Sequence, residues 1–441
     1  MPLPRPLLRA GLLAALALAT GATAAQADEH VAFLDGGGPV AAAGGTVAWS
    51  ARGGDGRYRL VLATGGAPAA AAPGVAPAAT PFDVALGHSG GRLVATYSRG
   101  RRAYVVPVAG GAERRIRAIP GPATHPAVDG DRLAWVVPGA SSLKGCDRLE
   151  VRTGGGRARV ISGACRKLAG VQVRGKDVVW SAIDYRGTDS HGAGGKSSTI
   201  WAFRFGGAVR TLDRTSFGEE SNLLRSPSID GRDVVYTQSG VHPRKSFARA
   251  RLDGRGTPVR AAAGVALEGP MAVDGARAWY VIPGRGEESC DAGDQLAPVP
   301  CELVSAATAA LAPGASRTLP PELSVAYTPA VQPAAGTPLT VAGALTRRTV
   351  RDGATVGSTP LPGEVVDVLA RSEGSPETFT ATGASATTGA DGAYGVQVPY
   401  AALPFFTAQV RSSGLLAGRG TVGFCPTGTT PLPGGGCTAP R

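Results

Sequence analysis

The chain has 441 residues, 45 Lys plus Arg against 33 Asp plus Glu, 65 Gly and 35 Pro, with 43% hydrophobic and only 5% aromatic residues. That length holds two or three domains. The hydrophobic fraction with both charge signs interspersed excludes wholesale disorder, and the Gly and Pro lack the triplet period of collagen. Turn-rich globular structure remains.

Two basic residues, Arg5 and Arg9, precede an apolar run from Ala10 to Ala19 and then Ala25-Gln26-Ala27. Small residues at that spacing suit signal peptidase, so residues 1–27 are expected to be an export signal cut before Asp28. The cut removes two positive charges and lowers the formal +12 to +10. No later segment approaches the roughly 18–20 apolar residues that span a bilayer, so no transmembrane segment is expected. The cut site carries no cysteine for lipidation, and Leu432-Pro433-Gly434-Gly435-Gly436 lacks the Thr of a sortase signal. The expected localisation is secreted, with the product released or held non-covalently and monomeric.

Six cysteines in an exported chain read as disulfides. They fall as local couples, Cys146 with Cys165, Cys290 with Cys301 and Cys425 with Cys437. Of the 15 connectivities open to six cysteines, proximity and the repeat frame favour this one. Cys-x-x-Cys spacing, which structural zinc needs, is absent from the sequence.

Internal repetition is the strongest signal. An apolar residue, often Asp, then Gly, two residues and a β-rich triplet recur at Val128 to Trp135, Ile229 to Tyr236 and Val273 to Tyr280. Weaker copies lie at Ala42 to Trp49, His88 to Ala95 and Val173 to Trp180. The marker glycines Gly44, Gly90, Gly130, Gly175, Gly231 and Gly275 are 40 to 56 residues apart. Periods of that size with several strands each are the signature of a propeller. Each unit also has a second hairpin, as at Tyr58 to Thr64 before Gly65-Gly66 and Phe247 to Leu252 before Asp253-Gly254, since such dipeptides supply the positive φ of tight turns. Four strands per unit and six units predict an all-β fold with a six-bladed propeller over 28–320.

The phrase Ser226-Pro227-Ser228-Ile229-Asp230-Gly231-Arg232-Asp233-Val234-Val235-Tyr236, followed by Ala248-Arg249-Ala250-Arg251-Leu252-Asp253-Gly254, resembles the repeat of TolB-like six-bladed propellers. Most copies here lack that Ser-Pro. The resemblance implies a fold, whereas the scaffold carries scaffolding proteins, lyases, hydrolases and dehydrogenases alike. It also implies an N-terminal strand that helps close the ring, for which His30 to Leu34 is the candidate.

Beyond about residue 305 the composition turns to Ala, Pro, Thr and Ser, read as a last strand and a linker over 321–338. Alternating segments such as Leu339 to Gly343, Val365 to Leu369, Tyr394 to Val398 and Phe406 to Val410 then predict a small β-sandwich over 339–424, followed by a disulfide-closed tail over 425–441. Thr387-Thr388-Gly389-Ala390-Asp391-Gly392-Ala393-Tyr394, with Pro362-Gly363-Glu364-Val365 upstream, resembles carboxypeptidase-regulatory or bacterial Ig-like modules, which are spacers and binding modules.

Gly87-His88-Ser89-Gly90-Gly91 matches the Gly-x-Ser-x-Gly nucleophile elbow, which requires a strand-to-helix turn. The repeat frame instead puts Ser89 on Asp129, in the turn between the first two strands of a blade, and makes His88 a partly buried, hydrogen-bonded imidazole. Gly194-Gly195-Lys196-Ser197 resembles the end of a P-loop, but position 190 holds Ser190 where the first glycine belongs. Glu287, Glu288, Asp291 and Asp294 form a cluster of hard oxygen ligands next to Cys290, which leaves calcium open as a cofactor, although the spacing fits no calcium loop. No other cofactor is expected.

The long connections, Ser141 to Asp147, Asp184 to Thr199, Asp213 to Arg225, Gln238 to Ser246 and Pro283 to Cys301, all fall on one face of the propeller. Long loops on a rigid scaffold are where binding concentrates. The candidate binding residues there are His125, Asp184, Tyr185, Arg186, Arg225, His242, Glu287 and Glu288, with no catalytic set assigned. The excess charge is nearly all arginine, whose fork suits carboxylate and phosphate. No basic run is interleaved with aromatics, which argues against specific nucleic-acid binding. The expected partner is an extracellular or cell-envelope ligand, an anionic polymer or a protein. The alternative is a lyase or hydrolase acting on an extracellular polymer, marked by His, acid and Arg side chains converging at the channel mouth, with His125 and His242 as the candidate histidines.

Overall fold

The computed structural model describes residues 26–34, 36, 38–65, 67–139, 146–162, 166–184, 197–216, 223–239, 245–283, 301–328, 334, 336–371, 379–400 and 405–417. Six four-stranded antiparallel sheets follow one another in chain order. Their innermost strands are Val40–Ala43, Ala85–Ser89, Thr124–Asp129, Lys167–Arg174, Leu223–Asp230 and Met271–Asp274. Each of these lies against the next, and Met271–Asp274 lies against Val40–Ala43, so the six blades run round a central channel. In the sixth blade the outer strand is Glu29–Leu34, paired antiparallel with Cys301–Ala307. The N-terminal strand that the TolB resemblance implied is therefore present and ties the start of the chain to its last blade.

The repeat has a physical cause at each position. All six marker glycines stand in the left-handed region, with φ between +57° and +64°, where a side chain would be strained. The second strand of every blade then buries a large aromatic, Trp49, Tyr97, Trp135, Trp180, Tyr236 and Tyr280, each 2% exposed or less, and the sixth blade buries Trp279 as well. Burying a ring of that size supplies much of a blade's hydrophobic contact. The tyrosines need partners for their hydroxyls. Tyr97 donates to Glu113, which also takes Arg99, and Tyr236 donates to Asp213 at 2.6 Å, beside Arg260. Burial and the neighbouring carboxylate push both phenols far above their ordinary range.

The turn aspartates join blades rather than only shaping turns. Asp129 accepts the N–H of His88 from the blade before it at 3.0 Å and that of Gly175 from the blade after it at 2.6 Å. Asp274 accepts the N–H of Gly45 in the first blade at 2.7 Å. Arg174, which occupies the aspartate position in the fourth blade, reaches Asp274 at 3.0 Å and the carbonyl of Ile229 at 2.8 Å.

Beyond the propeller, two sheets pack face to face as a β-sandwich. One is built on the long strand Pro338–Arg351. The other is built on Val365–Arg371, paired with Thr380–Thr387 and Phe405–Val410. Leu339, Val341, Leu345, Val366, Val368 and Phe406 are buried between them. The pairing differs from composition in one respect. Ser316–Thr318, Glu322–Leu323 and Ala326–Thr328 all pair with Pro338–Arg351, so the first, inside the range expected for the propeller, and the other two, inside the expected linker, are sandwich strands. Strands of two or three residues leave no alternation long enough to read in a Pro- and Ala-rich stretch.

Gln26–Ala27, inside the expected export signal, pairs parallel with Arg317–Thr318. Next to it the joint between propeller and sandwich is buried. Asp28, Tyr280 and Arg317 are 1%, 0% and 3% exposed. The Tyr280 hydroxyl donates to Asp28 Oδ2 at 2.5 Å, Arg317 lies 3.4 Å from the same oxygen, and its guanidinium covers the rings of Phe247 and Tyr280. Burial raises the Asp28 carboxyl above its ordinary value, while Arg317 and the Tyr280 hydroxyl pull it back.

Candidate functional site

A cavity of about 310 Å³ occupies the channel where the innermost strands begin, lined by residues of all six. Second strands end at this level, as Ile183 shows by lining it, so this is the mouth on the face of the long connections. The volume lies at the small-molecule end of binding pockets, roughly 300–1,000 Å³.

Three innermost strands reach the mouth through an irregularity. Register shifts fall between Thr124 and Ala127, Ala169 and Gln172, and Arg225 and Ser228. The left-handed residues within them are His125, Gly170 and Ser226, at φ +49°, +60° and +51°. All three line the cavity. A non-glycine residue in this region costs on the order of 1–2 kcal/mol, and such strain gathers at functional sites. A bulge also re-aims the side chains beside it.

Polar groups converge here. The Asp83 carboxylate accepts three hydrogen bonds, from the N–H and hydroxyl of Ser98 at 2.5 and 2.6 Å and from the N–H of His125 at 2.6 Å. Gln172 uses its Oε1 to hold the N–H of Ile229 in the next blade. Arg225 is the exception. Its half-buried side chain has a buried Nε without a hydrogen-bond partner, and no ion pair engages its guanidinium among the described residues. Gly269 makes room for it, since a Cβ there would lie 2.6 Å from Arg225 Cδ. A cation so placed offers its free donors to an anion.

Of the residues expected from sequence, His125 and Arg225 are brought to this mouth. Asp184 is buried at the end of the fourth blade's second strand, opposite Ser197, and its neighbour Ile183 lines the cavity in its place. Tyr185, Arg186, His242, Glu287 and Glu288 lie outside the described residues, as does the calcium candidate with Asp291 and Asp294. Sequence reasoning missed Asp83, Gln172 and Ser226 as contributors. One signal for the level of the mouth was present in the sequence: Gly38-Pro39 and Gly269-Pro270 stand just before an innermost strand, His125-Pro126 just inside one and Ser226-Pro227 in the middle of one, and each proline stiffens the residue before it.

The opposite face explains the elbow-like pentapeptide without chemistry. Ser89 pairs with Arg92 across a hairpin whose Gly90 and Gly91 are both left-handed. Gly87 is required by packing, because a Cβ there would sit 1.8 Å from the carbonyl oxygen of Val128. His88 corrects one expectation: its imidazole is bonded to Asp129 at 3.2 Å, as expected, but is 54% exposed rather than partly buried.

Cys146 and Cys301 are disulfide-bonded, and their partners lie outside the described residues. The neighbours of the first expected couple do meet, Asp147 donating its N–H to the carbonyl of Arg166 at 3.1 Å.

No protein-family model and no curated protein matches the chain. Solved structures with likeness to it include a nidogen/laminin complex, at 16% identity over 54% of this chain and 86% of that one, with a TM-score of 0.37. AofleA of Arthrobotrys oligospora is similar at 9% identity over 76% and 90%, TM-score 0.38. A TolB of Agrobacterium tumefaciens is similar at 16% identity over 74% and 92%, TM-score 0.29.

Proposed function

We propose that this is an exported recognition protein, TolB-like in its repeat, whose propeller takes an anionic extracellular ligand into the channel mouth. Arg225 carries this reading: it is a cation without a counter-charge among the described residues, on a cavity to which six strands contribute. His125, held through its backbone by Asp83, adds a second polar contact, while Val40, Leu86 and Met271 give the wall an apolar part. Most pockets combine these elements, an apolar lining with a few fixed polar groups. The ligand class is an acidic glycan or polyol phosphate that inserts one residue. The sandwich serves as an Ig-like or regulatory-like spacer, and the pairings Cys146 with Cys165, Cys290 with Cys301 and Cys425 with Cys437 brace the secreted chain.

The enzyme alternative calls for His, acid and Arg converging at the mouth, and Asp83, His125 and Arg225 all line it. The Asp83 carboxylate is taken up by the backbone N–H of His125 and by Ser98, and among the described residues no carboxylate bonds the His125 imidazole, which supports binding over catalysis. Titrating the full chain with acidic oligosaccharides and polyol phosphates tests the reading: saturable binding without turnover fits it, and hydrolysis or elimination of any of them contradicts it.

A further inference from the structure

The excess positive charge is not shared evenly among the blades. Residues 85–123, the second blade with its connection to the third, hold seven arginines and one acid, a net +6 that is half of the chain's formal +12. That acid, Glu113, is already engaged, accepting from the Tyr97 hydroxyl and pairing with Arg99. Arg101, Arg102, Arg114, Arg115 and Arg117 are exposed and have no ion pair among the described residues.

The fold gathers these five at one corner of the blade. Gly100 and Arg101 make the two-residue turn between Arg92–Arg99 and Arg102–Pro107. The Arg101 carbonyl accepts the N–H of Ala123 at 2.9 Å, two residues before His125, so the corner lies on the face of the channel mouth. The outer strand Arg114–Arg115 returns to the same level: Arg115 pairs with Tyr104, and Ile116 donates its N–H to the carbonyl of Ala103 at 2.9 Å. Arg115 shares the face of Tyr104, which packs toward the first blade, and Arg114 takes the other face, toward the third. There Arg152 of the third blade extends the patch, its Nη1 donating to the carbonyl of Ala118, beside Arg117, at 3.0 Å.

Stability does not account for this density of charge. Arg99 and Arg102 stand directly opposite each other across the hairpin, where like charges repel. Arg101 is at φ +63°, in a turn that glycine or asparagine would fill with less strain. An anion covering the corner offsets the repulsion. A lipid surface would want apolar side chains beside the charges, and the exposed large hydrophobics among the described residues, Phe33, Val160, Val259 and Val356, all lie outside residues 85–123. Nucleic-acid bases would want a free aromatic face, whereas Tyr104 lies under the Arg99 guanidinium, 4.8 Å from its ring centroid, and is stacked on Tyr97. All five cations are arginine, whose planar fork takes a carboxylate through two parallel hydrogen bonds, where lysine serves phosphate as a point charge.

We infer that this corner of the second blade docks a linear acidic polysaccharide with one carboxylate per sugar, successive carboxylates being taken by Arg101, Arg102, Arg114, Arg115 and Arg117. The surface lies outside the channel, so this binding does not depend on Arg225.

Biolayer interferometry with polygalacturonate tests this on the full chain carrying Arg225→Met, which removes any contribution of the mouth. Saturable binding is expected, weakening about tenfold or more between about 50 and 200 mM salt. Arg114→Gln/Arg115→Gln/Arg117→Gln, added to that background, is expected to lower affinity at least tenfold with an unchanged unfolding midpoint. Lys176→Gln/Arg232→Gln/Arg255→Gln takes the same charge from exposed residues of the fourth and fifth blades and should stay within about threefold of the background. Absence of saturable binding, or equal loss in the two triple variants, overturns the proposal. Tighter binding of polyphosphate, of DNA or of anionic phospholipid vesicles than of polygalacturonate also overturns it and assigns the corner to that partner. Because Arg225 is replaced throughout, no outcome here bears on the channel mouth.

Discussion

Asp83 accepts the backbone N–H of His125 at 2.6 Å, and so a carboxylate before the second blade holds the left-handed bulge of the third. The same carboxylate takes both donors of Ser98. Asp83→Ala leaves these donors unpaired and should cost about 1–3 kcal/mol. Urea unfolding checks the stability, and ligand titration should show weaker binding at temperatures where the variant is still folded.

Arg225 depends on the space that Gly269 leaves, because an added Cβ would fall 2.6 Å from its Cδ. Gly269 also stands at φ +104°. Gly269→Ala should therefore displace Arg225 and weaken ligand binding more than it lowers the unfolding midpoint. A variant that loses stability while keeping full affinity would show that Arg225 does not touch the ligand.

Gly87→Ala offers a test of the blade frame itself. With 1.8 Å to the Val128 carbonyl, the first strands of two blades must move apart, and destabilisation of about 3 kcal/mol is expected. Ser89→Ala, on an exposed hairpin, should change stability by about 0.5 kcal/mol or less, and a fluorophosphonate probe should not label Ser89. A difference in chemical reactivity between wild type and Ser89→Ala would contradict the turn assignment.

The blade frame was legible because its causes are local. A left-handed glycine, a buried aromatic a few residues on and a short hairpin recur within each unit, so Gly130 with Trp135 or Gly231 with Tyr236 can be read from one stretch of chain. Asp83, Gln172 and Arg225 belong to three different blades, and nothing in the residues around them says that they share a channel. His125 and Arg225 were found because loops carry function, not because their convergence was visible. The joint was hidden for a related reason: Asp28 meets Tyr280 and Arg317 across more than 250 residues.

Stability at that joint should depend on pH in a direction set by Asp28. Its carboxyl titrates above 3.8 in the folded state, chiefly through burial. The folded chain therefore holds this proton more tightly than the unfolded one, and the contribution of Asp28 to stability falls as pH rises from 3.8 through the raised value. Relative to Asp28→Asn, wild type should gain least at neutral pH and most in acid, measured by urea unfolding across that range.

Removing only the partner is the complementary change. Arg317→Met leaves the Asp28 carboxylate buried without its cation and should cost about 3–5 kcal/mol, with part of the loss recovered in Asp28→Asn/Arg317→Met. Equal stability of the single and double variants would show that the ion pair does not couple the two domains.

Affinity at the channel mouth, compared with the opposite face, tests the central claim most directly. Asp129 and Asp274 bind blades together, so the control on that face should be Arg232, an exposed residue following the Gly231 turn. Against a panel of acidic oligosaccharides and polyol phosphates, the ligand that binds wild type should lose more than tenfold in affinity with Arg225→Met. With Arg232→Ala it should bind within about twofold of wild type, a single exposed charge contributing little. Unchanged affinity in Arg225→Met, together with loss in Arg232→Ala, would contradict the account.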